Sequence, residues 1–490
     1  MRDYHIGASP LPTRALGGLA ALLAAVAIVF AGATREGELL NAGVRILALV
    51  TLLFGAFRLS RIDLRTEWKR PLLLAAAIAL LPLLQLVPLP GFLWTLLPGR
   101  GEIAAIYEAA GMAAPWHGLG LNPEGSLNAA FALLPGLAMF VALMTVETRG
   151  RLLTALVAVV FAVAGTLLGL AQVAEGAESA LRFYETTNPT SAVGFFSNRN
   201  HQASLQLVAM PLVTAVLAAV FPNRRGWPSV PAMVIAGVLL ALLAVTTVLT
   251  QSRAGIVLYP LVVAACALIL LRDRLPKLSG RAVLAGLAGL AVVGCLLAGG
   301  ALVARPELMA ELASDPRMAG LPTISAEALR QLPFGTGLGT FDEIYRSRER
   351  VEGLQSAYLN HAHNDLLELW LETGLPGLVL IGLFVAWYGR RTYDAWRTPG
   401  MDGVLACAGS VIVGALLLHS LVDYPLRTGA MSALFGLGCA LLLPYPGQKA
   451  AAEPAARGPG LEGPARRPAL PDGTQVTRVR TRRRLPRSGQ

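Results

Sequence analysis

Two histidines and an aspartate alternate in the stretch LNHAHNDLLELWLETGLPG (359–377): His361, His363 and Asp365. The chain has only six histidines. A neutral imidazole, with an ordinary pKa near 6.5, can take a proton from a sugar hydroxyl at neutral pH. On an extended backbone the three side chains would share one face, a geometry that suits a metal ion. No fourth ligand is placed by spacing, however, and a helix is expected to begin near Asn364, where residues two apart diverge. We therefore expect no metal site and give His363 the role of general base, with Asn364 as an orienting or acceptor-binding neighbour. Glu368 and Glu372, at i and i+4, are expected to face polar loop or solvent.

Five other stretches carry polar chemistry in an apolar setting. In TQSRAG (250–255), Ser252 or Thr250 can cap a helix whose first turn holds Arg253. Free N–H groups, the helix dipole and a guanidinium together favour phosphate, while a snorkelling arginine is the bland alternative. In DPRMAG (315–320), Arg317 could grip a second phosphate or be a solvated loop arginine. In LPFGTGLGTF (332–341) the glycines at 335, 337 and 339 do not fit GxGxxG, so they serve tight turns or the close approach of a ligand. In HSLVDYPLRTG (419–429), Asp423 could orient His363, bind an acceptor or pair with Arg427. In GFFSNRNHQAS (194–204), Asn198, Arg199, Asn200 and His201 suit sugar hydroxyls, or the SNRN turn simply caps the next helix.

The elements that must position these groups are membrane spans. Of the 490 residues, 54% are hydrophobic and 14% charged, and the mean hydropathy is +0.58. A soluble domain carries about 25% charged residues. Runs long enough to cross a bilayer, about 17–25 residues, are expected near 15–33, 42–57, 71–89, 127–146, 152–174, 204–221, 229–249, 254–271, 282–303, 374–389, 403–420 and 429–445. The fold class expected is thus an all-α polytopic membrane protein of about twelve transmembrane helices. Residues 1–303 hold helices one to nine, 304–364 form a large periplasmic loop, and 365–445 hold helices ten to twelve. Residues 446–490 are expected to be a disordered basic cytoplasmic tail. The four cysteines lie in apolar runs without a CxxC pair and read as core residues.

Orientation follows from Lys and Arg. Alternate connections place 28 of the 41 on one side and twelve on the other, with Arg45 inside the second span. The richer side is expected to be cytoplasmic, with both termini inside. Of the net +11, the tail supplies +7, from ten basic residues against Glu453, Glu462 and Asp472. Because that excess sits in a Pro/Gly/Arg-rich tail without aromatic platforms, it argues for anionic lipid and against nucleic acid. Five of the six histidines fall on the outer side. Ionisable groups thus gather at one membrane face, whereas a transporter hides them in mid-bilayer.

Taken together, HNDLLELWLETGLPG, QSRAG, PFGTGLGTF and HSLVDYP resemble the O-antigen ligase and polymerase family of bacterial envelope glycosyltransferases, over about residues 80–430. His363 and Asn364, nine residues and Gly374 match the family pattern; beyond it, Leu375-Pro376-Gly377 departs from it. LVPLP (86–90) and FSNRN (196–200) are also similar. The resemblance implies an inner-membrane enzyme with a periplasmic active site, needing no cofactor. It implies a donor glycan on undecaprenyl pyrophosphate and an acceptor that is lipid A core or a growing polysaccharide. It carries over Arg253 and Arg317 to the donor pyrophosphate and His363 to acceptor activation; Asn198, Arg199, Asn364 and Asp423 remain candidates for orienting groups. A single displacement inverts the anomeric centre. A lipid-linked glycan flippase is the rival reading, and it demands a polar path through mid-bilayer that the sequence does not supply.

Overall fold

The computed structural model describes residues 13–34, 38–64, 66–185, 187–221, 229–272, 315–349 and 359–445. The expected ninth span, the basic tail and parts of the expected outer loop lie outside the described residues. Among the described residues nine helices are long and apolar enough to cross a membrane. They are α1 (Thr13–Phe30), α2 (Glu38–Leu59), the α6–α7 pair (Pro123–Ala132 and Leu134–Met144), α8 (Thr148–Glu175), α9 (Arg199–Val220), α10 (Val230–Leu249), α11 (Arg253–Leu271), α14 (Asp365–Ala395) and α15 (Gly400–His419). Expected spans three and twelve also form helices, α3 (Thr66–Gln85) and α16 (Gly429–Leu441). The first opens with Glu67, Lys69 and Arg70, and the second is only 13 residues long. Short helices α4 (Gly91–Trp94) and α5 (Gly101–Ala109) follow α3. Between α11 and α14 come α12 (Pro316–Arg330) and α13 (Phe341–Arg348), so this part of the expected loop is helical. A small apolar cluster of Ile324, Ala328, Phe341, Leu359, Ala362 and Leu371 holds it.

Helix α9 is the centre of the bundle. Every residue from Asn200 to Ala215 is buried, and α8, α11 and α15 pack around it. Helix α10 is the opposite case: it buries Ala232, Leu243, Thr246 and Thr247 and turns the rest of its apolar surface outward, as a lipid-facing helix must. The polar residues of α9 therefore meet neighbouring helices. Gln206 accepts a hydrogen bond from Thr247 at 2.7 Å, for example.

One device fixes the end of the bundle that carries the histidines. Helix α14 breaks at Gly374, whose φ of 59° and ψ of −142° lie outside the helical region. Pro376 has no N–H, so the Glu372 carbonyl loses its helical donor, and Leu375 N–H turns away to the Pro333 carbonyl at 2.8 Å. The two freed carbonyls must find new partners. Thr336 N–H donates to Leu371 O at 3.0 Å and Gly337 N–H to Glu372 O at 2.8 Å. Gln85 Nε2 donates to Glu372 O as well, at 3.0 Å, and its Oε1 accepts from Leu338 N–H. The glycine-rich stretch thus plugs the kink of the ETGLPG stretch. Its glycines make close approaches, but to the protein's own backbone. A Cβ on Gly335 would sit 2.6 Å from the Glu372 carbonyl carbon, and one on Gly337 2.7 Å from Gly120 Cα, both at positive φ. Arg100 buttresses the plug from a fully buried position, donating to Gln331 Oε1, Leu119 O and Gly335 O.

Candidate active site

Asn364 caps α14: its side-chain oxygen accepts from Leu367 N–H at 3.0 Å, which places the helix start where the sequence indicated. The cap turns the preceding residues out of the helix, and His363 adopts a left-handed φ of 48°. His361, His363 and Asp365 consequently face different partners and do not share one ligand set. His361 Nδ1 meets Glu368 Oε1 at 2.8 Å. His363 Nδ1 meets Asp423 Oδ1 at 2.8 Å. Asp365 accepts from the Ser420 hydroxyl at 2.7 Å.

Asp423 is buried, which by itself raises a carboxyl pKa. The hydrogen bond from His363 and the charges of the surrounding histidines outweigh that, and hold it well below the usual carboxylate range. An ionised Asp423 only accepts, so the Nδ1 of His363 that faces it carries a proton, and in the neutral imidazole Nε2 is then the acceptor. That is the state of a general base.

Tyr424 ties the histidines together. Its ring lies 4.3 Å from that of His361, 4.8 Å from His363 and 5.1 Å from His201. Its hydroxyl accepts from Asn198 Nδ2 at 3.4 Å. Burial first, and then the Asp423 charge, push its pKa up to about 12.

The expected cations converge on the same end. Ser252, not Thr250, caps α11 by accepting from Gly255 N–H, and Arg253 opens the helix with an exposed side chain. Asn198 caps α9 by accepting from Asn200 N–H at 2.8 Å, and Arg199 is the first residue of that helix. Asp315 caps α12 beside Arg317, whose side chain is 38% exposed. Arg199 donates to Gln251 Oε1 at 3.3 Å and lies within electrostatic reach of Arg253, Arg317 and Asp423. Arg317 in turn acts on Tyr424. Gln251, next to Ser252, has a φ of 55°. Among the described residues it and His363 are the two non-glycine residues with positive φ. Such strain gathers at functional sites, where the surroundings over-determine the backbone.

Of the three partners expected for Asp423, the structure pairs it with His363, and Arg427 pairs elsewhere. Glu368 and Glu372 are corrected: both are fully buried and do not face loop or solvent. With Asp365 they form a row along α14 at i, i+3 and i+7. Arg427 reaches all three, at 3.5 Å to Asp365, 3.3 Å to Glu368 and 3.0 Å to Glu372. Burial alone would lower the Arg427 pKa, but the three carboxylates drive it far up. Glu368 also accepts from Ala362 N–H, and Glu372 from Gly339 N–H. The row thus pins the histidine turn, the glycine plug and the 425–427 turn to one helix. Sequence reasoning also passed over Tyr424, His419, Gln85 and Arg100. Tyr424 and His419 stand inside the HSLVDYP stretch that the sequence singles out around Asp423.

Helices this long and apolar mark a membrane protein, and the polar cluster lies at one end of the bundle. Residues 238–382 match the family model described as O-antigen ligase, and the match supports membership of the O-antigen ligase and polymerase family. No curated protein matches the chain. The matched range contains Arg253, Arg317, His363 and the Gly374 kink, whereas Asn198, Arg199 and Asp423 lie outside it. The match implies a membrane glycosyltransferase-like ligase with lipid-linked polysaccharide partners.

Proposed function

We propose that this protein transfers a glycan from undecaprenyl pyrophosphate to an acceptor hydroxyl at the periplasmic face of the bacterial inner membrane, with inversion. The observation that carries the reading is the convergence of three arginines from α9, α11 and α12 beside the His363–Asp423 pair. Like charges gathered this closely repel one another, and a polyanion relieves that repulsion. A lipid diphosphate is a polyanion whose tail stays in the bilayer while its head reaches the helix ends.

In the reaction the acceptor oxygen attacks the anomeric carbon. The bond from that carbon to the phosphate oxygen breaks, and the lipid diphosphate leaves with the electron pair. Arg253 and Arg317, with Arg199 beside them, meet the charge that grows on the leaving group, which lowers the barrier because the contact strengthens in the transition state. His363 Nε2 takes the hydroxyl proton. Asp423 holds the imidazole in the right tautomer and steadies the imidazolium. Charge neutralisation by arginine calls on no metal. Lipid A core or a growing polysaccharide supplies the hydroxyl.

Purified protein in detergent, given lipid-linked donor and acceptor, tests the reading. It should form a new glycosidic bond, and His363→Ala and Arg253→Ala should abolish transfer while still inserting in the membrane. Normal transfer by both variants defeats the mechanism. A flippase would move the donor without making a bond. In cells, loss of the protein leaves long unattached lipid-linked chains for a ligase, and single repeat units for a polymerase.

A further inference from the structure

Behind the His363–Asp423 pair lies a group of polar atoms that the proposed reaction does not use. Asp423 gives Oδ1 to His363, but Oδ2 is buried without a partner. Both ring nitrogens of His201 are buried without a partner, and so is Nε2 of His419. These side chains come from α9, the end of α15 and the turn that follows it. They act on one another electrostatically: His201 lies within reach of Asp423, His419, His361 and His363, and His419 within reach of Asp423. The Tyr424 ring covers the group from the His361 and His363 side, and Phe196 packs against His201.

Buried polar atoms are satisfied in folded proteins, and where no protein group reaches, an ordered water with about three bonds does it. The tautomers fit such a water. Ser204 Oγ donates to Asn200 O at 3.1 Å, so it accepts from His419 Nδ1–H at 2.9 Å. His419 Nε2 is then a bare acceptor. A water can donate one hydrogen to Asp423 Oδ2 and the other to His419 Nε2, and accept from a His201 N–H.

We propose that His201 and His419 are positioning residues that hold a buried water on Asp423 Oδ2, and that this water fixes the carboxylate against His363. The inference rests on the proposed role of His363 as base. No proton moves through the water; it supplies the hydrogen bond that keeps Asp423 ionised and in place. The groups facing this carboxylate are His363 and Tyr424 on the solvent side, His201 from α9 and His419 from α15. Arg199 lies within reach, and His361 carries the charge of Glu368 on its far side.

The test compares His201→Leu, His419→Leu and the hydrogen-bonding variant His419→Gln in the purified full chain. Each leucine variant should lower kcat about tenfold, the worth of one bond to a charged group, with the KM for lipid-linked donor unchanged. The acid limb of the pH–rate profile should move to higher pH, because a carboxylate stripped of its donor holds the protonated imidazole more tightly. His419→Gln should restore most of kcat. Wild-type kcat and an unmoved acid limb in both leucine variants would overturn the proposal. If the leucine variants fail to insert, a cryo-EM map of the wild type at a resolution that shows water decides the question: density bridging Asp423 Oδ2 to His201 and His419 supports it, and a dry contact sinks it. His363→Ala serves as the control. If that variant remains active, the reaction mechanism itself fails; if it is dead while the leucine variants match wild type, only the water-holding role fails.

Discussion

His363 and Asp423 stand 60 residues apart and share a 2.8 Å hydrogen bond from imidazole Nδ1 to a buried carboxylate. Asp423→Asn keeps the shape and reverses the polarity, since the amide now offers its own N–H to Nδ1. The proton then sits on Nε2, where the base is needed. The expected outcome is a fall in kcat of about 10²–10⁴-fold, the usual contribution of a positioned general base, with donor KM little changed. Steady-state kinetics on the purified variant check this; an asparagine variant as fast as wild type would remove Asp423 from the mechanism.

The arginines should show the opposite trends in activity and stability. Arg253→Gln and Arg317→Gln should each reduce transfer by about 10²–10³-fold, as losing one donor to a developing anion does. Each also relieves repulsion around Arg199, so without donor the melting temperature should stay level or rise. A loss of activity that tracks a loss of stability would mark these residues as structural.

Arg427 is a structural cation among three carboxylates. Arg427→Ala leaves Asp365, Glu368 and Glu372 without their shared counter-charge, and should destabilise the fold by about 3–5 kcal/mol. Glu372→Gln leaves two carboxylates on the arginine and should be far milder. Thermal unfolding in detergent separates the two. Equal melting temperatures would show that the row is not what holds the turn.

The kink requires a bare backbone at its plug. Gly335→Ala meets the Glu372 backbone at 2.6 Å with φ at 75°, and should destabilise by about 1–3 kcal/mol or more. Reduced melting temperature and faster proteolysis within 332–348 are the expected readings, and an unaffected protein would mean that the plug yields freely.

Two pH limits follow from the site. Tyr424 rises from 10.0 to about 12, so its neutral form favours the fold below pH 10, and that contribution is lost as pH climbs toward 12. Asp423 is depressed below 3.8, so its contribution is present above that pH and lost only as pH falls through the lower folded value. Stability between neutral pH and pH 5 should therefore be insensitive to both. Tyrosinate absorbance should show the late-titrating component reduced by one tyrosine in Tyr424→Phe against wild type; a late component unchanged by that substitution contradicts the enclosed site.

The apolar spans were readable because a bilayer sets their length and composition locally, and the helix caps at Asn198, Ser252 and Asn364 were readable because a cap is a contact between near neighbours. Glu368 and Glu372 were misjudged for the complementary reason. Two carboxylates at i and i+4 look solvated until a distant arginine is known to lie between them, and Arg427 is 55 positions beyond Glu372. The glycines of 335–339 were read as serving tight turns or the close approach of a ligand, yet Gly335 approaches the freed carbonyl end of another helix and Gly337 the backbone at Gly120, which no local pattern names.

By itself the amino-acid order determined which segments favour lipid, where helices start, and which residue types could serve as base and cations, since these are properties of runs a few turns long. Only the tertiary structure decided that Asp423 faces His363, that Arg427 faces α14, and that Arg199 joins Arg253 and Arg317. Those pairings depend on how helices pack across the bundle, and packing brings together residues whose separation along the chain carries no trace of their separation in space.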